Sequence, residues 1–216
     1  MARFQLEKGD RFKLDKSSGL EKVRVDLNWK SGADLDASAF LIGSNGVIND
    51  DADFVFYNSA NRANPKTGEV EPFEKSIHGN KKHWQASTVP VSADGSVLGS
   101  ADDLGDGEDE GEDAGETMHV DLSKVGPKIE EIIFCVTIYH GDTEGVTFGA
   151  VREPSITISN EDTGEELCRY NLKEKFSTET AVEAAKLVCN DEGEWEFVAL
   201  GEGHDGGMQT LIDIYA

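Results

Sequence analysis

Val23, Val25, Leu27 and Trp29 alternate with Lys22, Arg24, Asp26 and Asn28 along Glu21–Trp29. Successive side chains of a strand point to opposite faces, so this stretch builds one apolar and one wet face of an antiparallel sheet. The same pattern recurs. Phe12 and Leu14 alternate within Arg3–Asp15, which reads as two short strands around Lys8-Gly9-Asp10. Phe54–Asn58 reads as an apolar strand, Thr117–Leu122 alternates, and Glu130–Tyr139 is the most apolar segment and the expected sheet centre. Pro154–Ser159, the Asn160–Gly164 turn and Glu166–Asn171 spell a hairpin, and Glu194–Leu200 alternates with Trp195 and Phe197 inward. The one helix expected covers Ala181–Val188. There Ala181, Ala184, Ala185 and Val188 recur at helical spacing behind Ser177-Thr178-Glu179-Thr180. Met208–Tyr215 reads as a short amphipathic end. Short strands at turn-punctuated intervals close as a two-sheet antiparallel β-sandwich, mainly all-β with one short helix in the C-terminal half. One domain over residues 1–216 is expected, with Ser59–Ser92 as a long inserted excursion and a hairpin around Glu69–Phe73.

Against this background Asp102–Glu116, DDLGDGEDEGEDAGE, stands apart: apart from Leu104 and Ala114, every residue is Asp, Glu or Gly. Carboxylates packed so densely repel one another unless solvent, salt or a cation separates them. Interleaved glycines permit tight curls that turn several oxygens toward one point, the environment a hard cation such as Ca²⁺ requires. A solvated acidic linker is the plainer reading of the same composition. A register from Asp106 resembles the front half of an EF-hand loop, but Glu116 falls one position short and no helix precedes it, so EF-hand is rejected.

Asp34 and Asp36, in Asp34-Leu35-Asp36, project to one side if the segment is a strand, and like charges so placed destabilise each other unless something positive lies between. An exposed strand end explains them equally well. Neither acidic patch completes a ligand set alone. Together, with Asn58 and backbone carbonyls, they do so if they converge at one end of a sandwich. Many flexible oxygen ligands favour Ca²⁺ over Mg²⁺, and the absence of nearby His or Cys disfavours zinc.

Enzyme signatures are missing: the sequence holds no GxSxG elbow, P-loop, HExxH or GxGxxG after a strand. The five histidines, at 78, 83, 119, 140 and 204, have no partners at motif spacing and read as surface residues. A hydrolase using the paired carboxylates is the alternative reading. With 43 Asp and Glu against 20 Lys and Arg, the formal charge of −23 opposes nucleic acid and anionic lipid. A salt-rich cytoplasm is another source of such acidity. Lys81-Lys82-His83 forms a local basic cluster, read as making salt contacts to the acidic surface. No secretory signal is visible, and the longest apolar run, Ile132–Tyr139, is too short to span a bilayer. A cytoplasmic protein with reduced thiols at Cys135, Cys168 and Cys189 is expected, Cys135 being a core residue.

VRVDLNW, DLDASAF, DADFVFYN, the acidic segment ending in GETMHVDL, IIFCVTIY, RYNL, STETA and GEWEFVALGEG, in this order, resemble the TerD family of tellurite-resistance and stress proteins. The resemblance implies a β-sandwich that binds Ca²⁺ at acidic loops without catalysis. It also implies work in complexes with other stress-response proteins near the membrane. Asp34 and Asp36 match the family's paired aspartates, Asp102 and Asp103 its GDN segment, and Glu116 the acid opening the next strand. The loop here is longer than the family's, which leaves open which of Asp106, Glu108, Asp109, Glu112 and Asp113 are ligands; Asp106 and Asp113 are the positions chosen.

Overall fold

A computed structural model describes residues 4–30, 34–100, 114–172 and 176–216. In chain order the strands are β1 (Phe4–Leu6), β2 (Arg11–Leu14), β3 (Lys22–Lys30), β4 (Leu35–Gly43), β5 (Phe54–Val55), β6 (Arg62–Ala63), β7 (Val89–Pro90), β8 (Val97–Leu98), β9 (Ala114–Asp121), β10 (Ile129–Ile138), β11 (Arg152–Asn160), β12 (Glu166–Asn171), β13 (Ala181–Cys189) and β14 (Trp195–His204). The helices are α1 (Lys75–His78), α2 (Lys81–Ser87), α3 (Gly141–Glu144) and α4 (Gly207–Tyr215). The first sheet runs β1-β12-β11-β3-β9-β8 and the second β2-β14-β13-β10-β4-β5. Pairing is antiparallel except for β1 against β12.

The alternation in the sequence decides what lies between the sheets. Val23, Val25, Leu27 and Trp29 from β3 meet Leu35, Ala37, Ala39 and Leu41 from β4 in one buried cluster. Apolar burial at this scale is the main favourable term of the fold. β10 sits inside the second sheet, between β13 and β4, as its apolar run requires. That run is apolar on both faces because its outer face is covered as well. Phe40, Ile42, Phe54, Ile133, Cys135 and Ala181 form a second cluster with Leu211 of α4. The amphipathic C-terminal segment is therefore a helix lying on the second sheet.

The helix expected over Ala181–Val188 is instead the strand β13. Its pairing with β14 shifts register between Glu183 and Ala185, and that of β10 shifts between Phe134 and Cys135. Such a bulge places Ala184 and Ala185 together in the inter-sheet core. The doubled position breaks the two-residue period and leaves a spacing that imitates a helical stripe.

Two further expectations change. The ladder at Phe54–Asn58 ends after Val55, and Phe56 onward is turn. The 59–92 segment is more ordered than its composition suggests. β6 pairs with β7, Val70 bridges to Ala63, and two short helices pack alongside. Its centre is Arg62, 1% exposed. The guanidinium donates to Thr88 Oγ1 (2.8 Å) and to the carbonyls of Tyr57 (2.8 Å), Gln85 (2.9 Å) and Thr88 (2.8 Å). Lys81, Lys82 and His83 open α2 in solvent and make no ion pair among the described residues, contrary to the salt contacts expected of them.

Candidate metal centre

On β4 the core residues Leu35 and Ala37 face the first sheet, so Asp36 and Ser38 face outward with Phe40. Asp36 is only 8% exposed. It lines a hollow of about 200 Å³ with Tyr57, Thr137, Tyr139, His140 and Met208 among its neighbours. Asp34 precedes the strand and is exposed, its carbonyl accepting from the Tyr139 amide at 2.9 Å. The two aspartates are thus not equivalent: one is buried in the sheet, the other sits at its mouth.

Glu116 approaches the same place from the other sheet. Met118 and Val120 of β9 point into the core, and Glu116, two residues earlier, shares their face. β5 pairs with β4 only at Ala39 and Phe40, so the β4 edge before Ala39 is open on that side. Glu116 Oε2 accepts from the Ala37 amide there at 2.8 Å. The bond joins residues 79 apart in sequence and brings the Glu116 carboxylate to the amide that follows Asp36, while the Asp36 side chain faces the outer hollow. Ala37, Tyr57, Ser100 and Glu116 share one small recess.

The acidic segment is tied down at both flanks. Ser100 Oγ donates to the Thr117 carbonyl and accepts from the Thr117 amide, both at 2.8 Å. Gly115 lies so close to β3 that an added Cβ would stand 2.7 Å from the Leu27 carbonyl oxygen. Asp102, Asp103, Asp106 and Asp113 lie outside the described residues. Asn58 is exposed, its Oδ1 accepting from Gln85 Nε2 at 3.2 Å. The geometry therefore brings Asp34, Asp36 and Glu116 to one end of the molecule, with Asn58 following Tyr57 at its margin. Every donor in this set is an oxygen, the chemistry of a hard cation. Among the described residues no three His, Cys, Asp or Glu side chains cluster closely enough to hold a metal alone.

Sequence reasoning missed two other charged groupings. Asp53 is 4% exposed. Burial, with Asp94 and Asp50 close by, raises its pKa. Asp94 goes the other way despite its own burial. Its carboxylate accepts from Ser92 Oγ (2.8 Å), the Ser96 amide (2.9 Å) and the Gly126 amide (2.7 Å), which lower its pKa. On the outer face of the second sheet, Glu183 Oε1 lies 2.8 Å from His204 Nε2, and burial together with the nearby Glu183 carboxylate raises the Tyr215 pKa. His204 is thus a partnered residue, not the free surface histidine its spacing implied. A lone acid in the apolar run AVEAAKLV was the available signal, since a buried carboxylate needs such partners. Cys135 is fully buried and its thiol is pushed up by desolvation; that of Cys168 is pushed up to about 12.

Two stacked, mainly antiparallel sheets in a chain of formal charge −23 define an acidic β-sandwich protein. The chain belongs to the TerD family, whose domain matches residues 1–215. It is 35% identical over 218 residues to general stress protein 16U of Bacillus subtilis, covering 97% of this chain and 95% of that one. It is 33% identical over 217 residues to tellurium resistance protein TerD of Serratia marcescens, again covering 97% and 95%. Among solved structures, a TerD homologue from Streptomyces coelicolor superposes with a TM-score of 0.55 at 20% identity, covering 89% of this chain and 95% of that one. That likeness concerns the fold. No helix among the described residues is long and apolar enough to cross a membrane.

Proposed function

We propose that this chain is a calcium-binding, non-catalytic stress-response protein of the tellurite-resistance type, acting as a metal-dependent interaction module. One observation carries the reading: Glu116, at the end of the acidic segment, is bonded to the amide next to Asp36. In this reading the two acidic stretches, far apart in the chain, meet at one end of the sandwich, where their mutual repulsion is relieved by a divalent ion. Asp34, Asp36 and Glu116, with Asp102, Asp103, Asp106 and Asp113 from the adjoining segment, supply the oxygens. Asn58 joins them only by giving up Gln85. The relatives named for general stress and tellurium resistance support the biological role. Other stress-response proteins in a membrane-proximal cytoplasmic complex are the partners this reading implies, and the charge of −23 speaks against nucleic acid.

Calcium that binds only the folded state raises stability by mass action, about 2.7 kcal/mol at a roughly hundredfold excess over Kd. The test is thermal melting with Ca²⁺ and with chelator, for the parent and for Asp34→Ala/Asp36→Ala. A calcium-dependent rise in midpoint that the double variant loses supports the proposal. Equal midpoints at saturating metal count against it.

A further inference from the structure

On the outer face of the first sheet, a trough of about 560 Å³ runs along β11. Ile156 and Ile158 of that strand enter the core, so Thr157 and Ser159 form the floor. β3 and β12 flank it as walls. Register sets Thr157 between Asp26 and Arg169, and Ser159 between Arg24 and Glu166. The floor is low because its side chains are small, and the walls are high because theirs are long and charged. Adjacent strands stand about 4.8 Å apart, so the walls are roughly 10 Å apart and both guanidinium groups reach the space above the floor.

Counting donors and acceptors shows what the trough lacks. Arg24 Nε donates to Asp26 Oδ2 at 3.0 Å, and Asp26 Oδ1 accepts from Thr117 Oγ1 at 2.8 Å. Arg169 grips Glu166 with Nε at 3.3 Å and Nη2 at 3.0 Å. Both carboxylates are thus neutralised and their arginines aligned. The terminal nitrogens of Arg24 and Nη1 of Arg169 have no partner among the described residues. The decisive group is Thr157. The residue is 4% exposed, and its buried Oγ1 has no hydrogen-bond partner. A buried hydroxyl left unmatched is costly and rare. The groups left over are donors, so the missing component is an acceptor of several hydrogen bonds carrying negative charge.

We propose that this trough binds a phosphate-type oxyanion, held between Arg24 and Arg169 above the Thr157 hydroxyl. Arginine forks suit such oxygens in geometry and charge. The volume exceeds that of an inorganic ion, which leaves room for the organic part of a phosphate ester. Glu165, on the turn at one end, makes the local charge sum negative. Binding therefore depends on short charge-assisted hydrogen bonds above the floor, since the chain's distant charges are screened beyond about 8 Å at physiological salt.

The test is calorimetric titration of chelator-treated protein with inorganic phosphate and, separately, with glycerol phosphate, against sodium chloride of equal ionic strength. Working without calcium separates this result from the metal proposal. Saturable binding is expected, weakened about tenfold or more by Arg24→Gln or by Arg169→Gln. Thr157→Val keeps the β-branched shape of the strand residue, so it remains informative if an arginine variant fails to fold. It is expected to weaken binding about fivefold without lowering the ligand-free melting midpoint, since the hydroxyl it removes is unmatched there. Tighter binding of the ester identifies an organic phosphate as the ligand class, and equal binding identifies free phosphate. No saturable heat beyond the chloride control with either probe overturns the proposal. So does undiminished binding in the Arg24→Gln/Arg169→Gln protein or in Thr157→Val.

Discussion

The Ala37 amide donates to Glu116 Oε2 across the two sheets at 2.8 Å. The bond satisfies a β4 edge donor that β5 is too short to reach, and it anchors the strand that follows the acidic segment. Structure and proposed metal binding thus share one carboxylate, and substitution can separate them. Glu116→Gln keeps a carbonyl oxygen for the amide but removes the charge. Glu116→Ala removes both and strands a partly buried donor, at a cost of about 1–3 kcal/mol. In chelator, the Ala variant is expected to melt well below the parent and the Gln variant close to it. In calcium, both lose most of the metal-induced rise. Midpoints from paired melts check both halves.

How far the sequence revealed this end of the molecule depends on periodicity. The strand that follows the acidic segment was legible because one face is buried and the other wet, as in Glu21–Trp29, whereas β8 before it, two residues long, carried no such pattern. β13 was not, because the bulge at Ala184 and Ala185 put adjacent residues into the core and erased the alternation. Alanine also has a high helix propensity, which packing between β10 and β14 overrides. The Glu116–Ala37 contact had no sequence signal of its own. It depends on where the β5 ladder stops, and the apolar run Phe54–Asn58 suggested a longer one. Arg62 was equally silent, since a lone arginine in a Pro- and Asn-rich stretch reads as surface.

Arg62 gives a sharp test of that stretch. Its guanidinium holds three carbonyls and a hydroxyl together and lies 5.9 Å from the Trp84 ring centre. One of those carbonyls belongs to Tyr57, which lines the hollow around Asp36. Arg62→Met preserves bulk but leaves the acceptors unmatched, and is expected to cost roughly 2–4 kcal/mol. Hydrogen exchange should locate the loss first at the β6–β7 amides, ahead of β10 and β13. Uniform acceleration across both sheets would contradict a local role.

Asp53 and Asp94 predict opposing contributions to stability against pH. Desolvation and neighbouring carboxylates raise the Asp53 pKa above 3.8, so the folded state takes up the proton more readily than the unfolded chain. Its favourable contribution is present below 3.8 and lost as pH rises through the folded value. The Asp94 pKa is lowered, so its contribution is present above 3.8 and lost as pH falls through its folded value. Asp53→Asn should therefore stabilise the protein near neutrality relative to the parent, with the gain shrinking toward pH 3.8. Asp94→Ala should destabilise near neutrality by about 1–3 kcal/mol, since three donors lose their acceptor. Urea midpoints across acidic to neutral pH check both signs.

Gly115 is required for space rather than for backbone conformation. An added Cβ would stand 2.7 Å from the Leu27 carbonyl oxygen and 3.1 Å from Asn28 Oδ1. A backbone oxygen within a sheet cannot move aside cheaply, so β9 itself would have to lift from β3 at the base of the acidic segment. Gly115→Ala is accordingly expected to cost about 1–3 kcal/mol in urea unfolding, and to shift Glu116 away from Ala37. Gly193 is the control: its φ is +75° and an added Cβ there meets nothing within 4 Å. Gly193→Ala strains the backbone far from Glu116 and should lower stability without changing the calcium-induced rise in midpoint. If the two alanine variants lose stability but keep the same calcium response, the close approach of β9 to β3 has no part in presenting the acidic segment to metal.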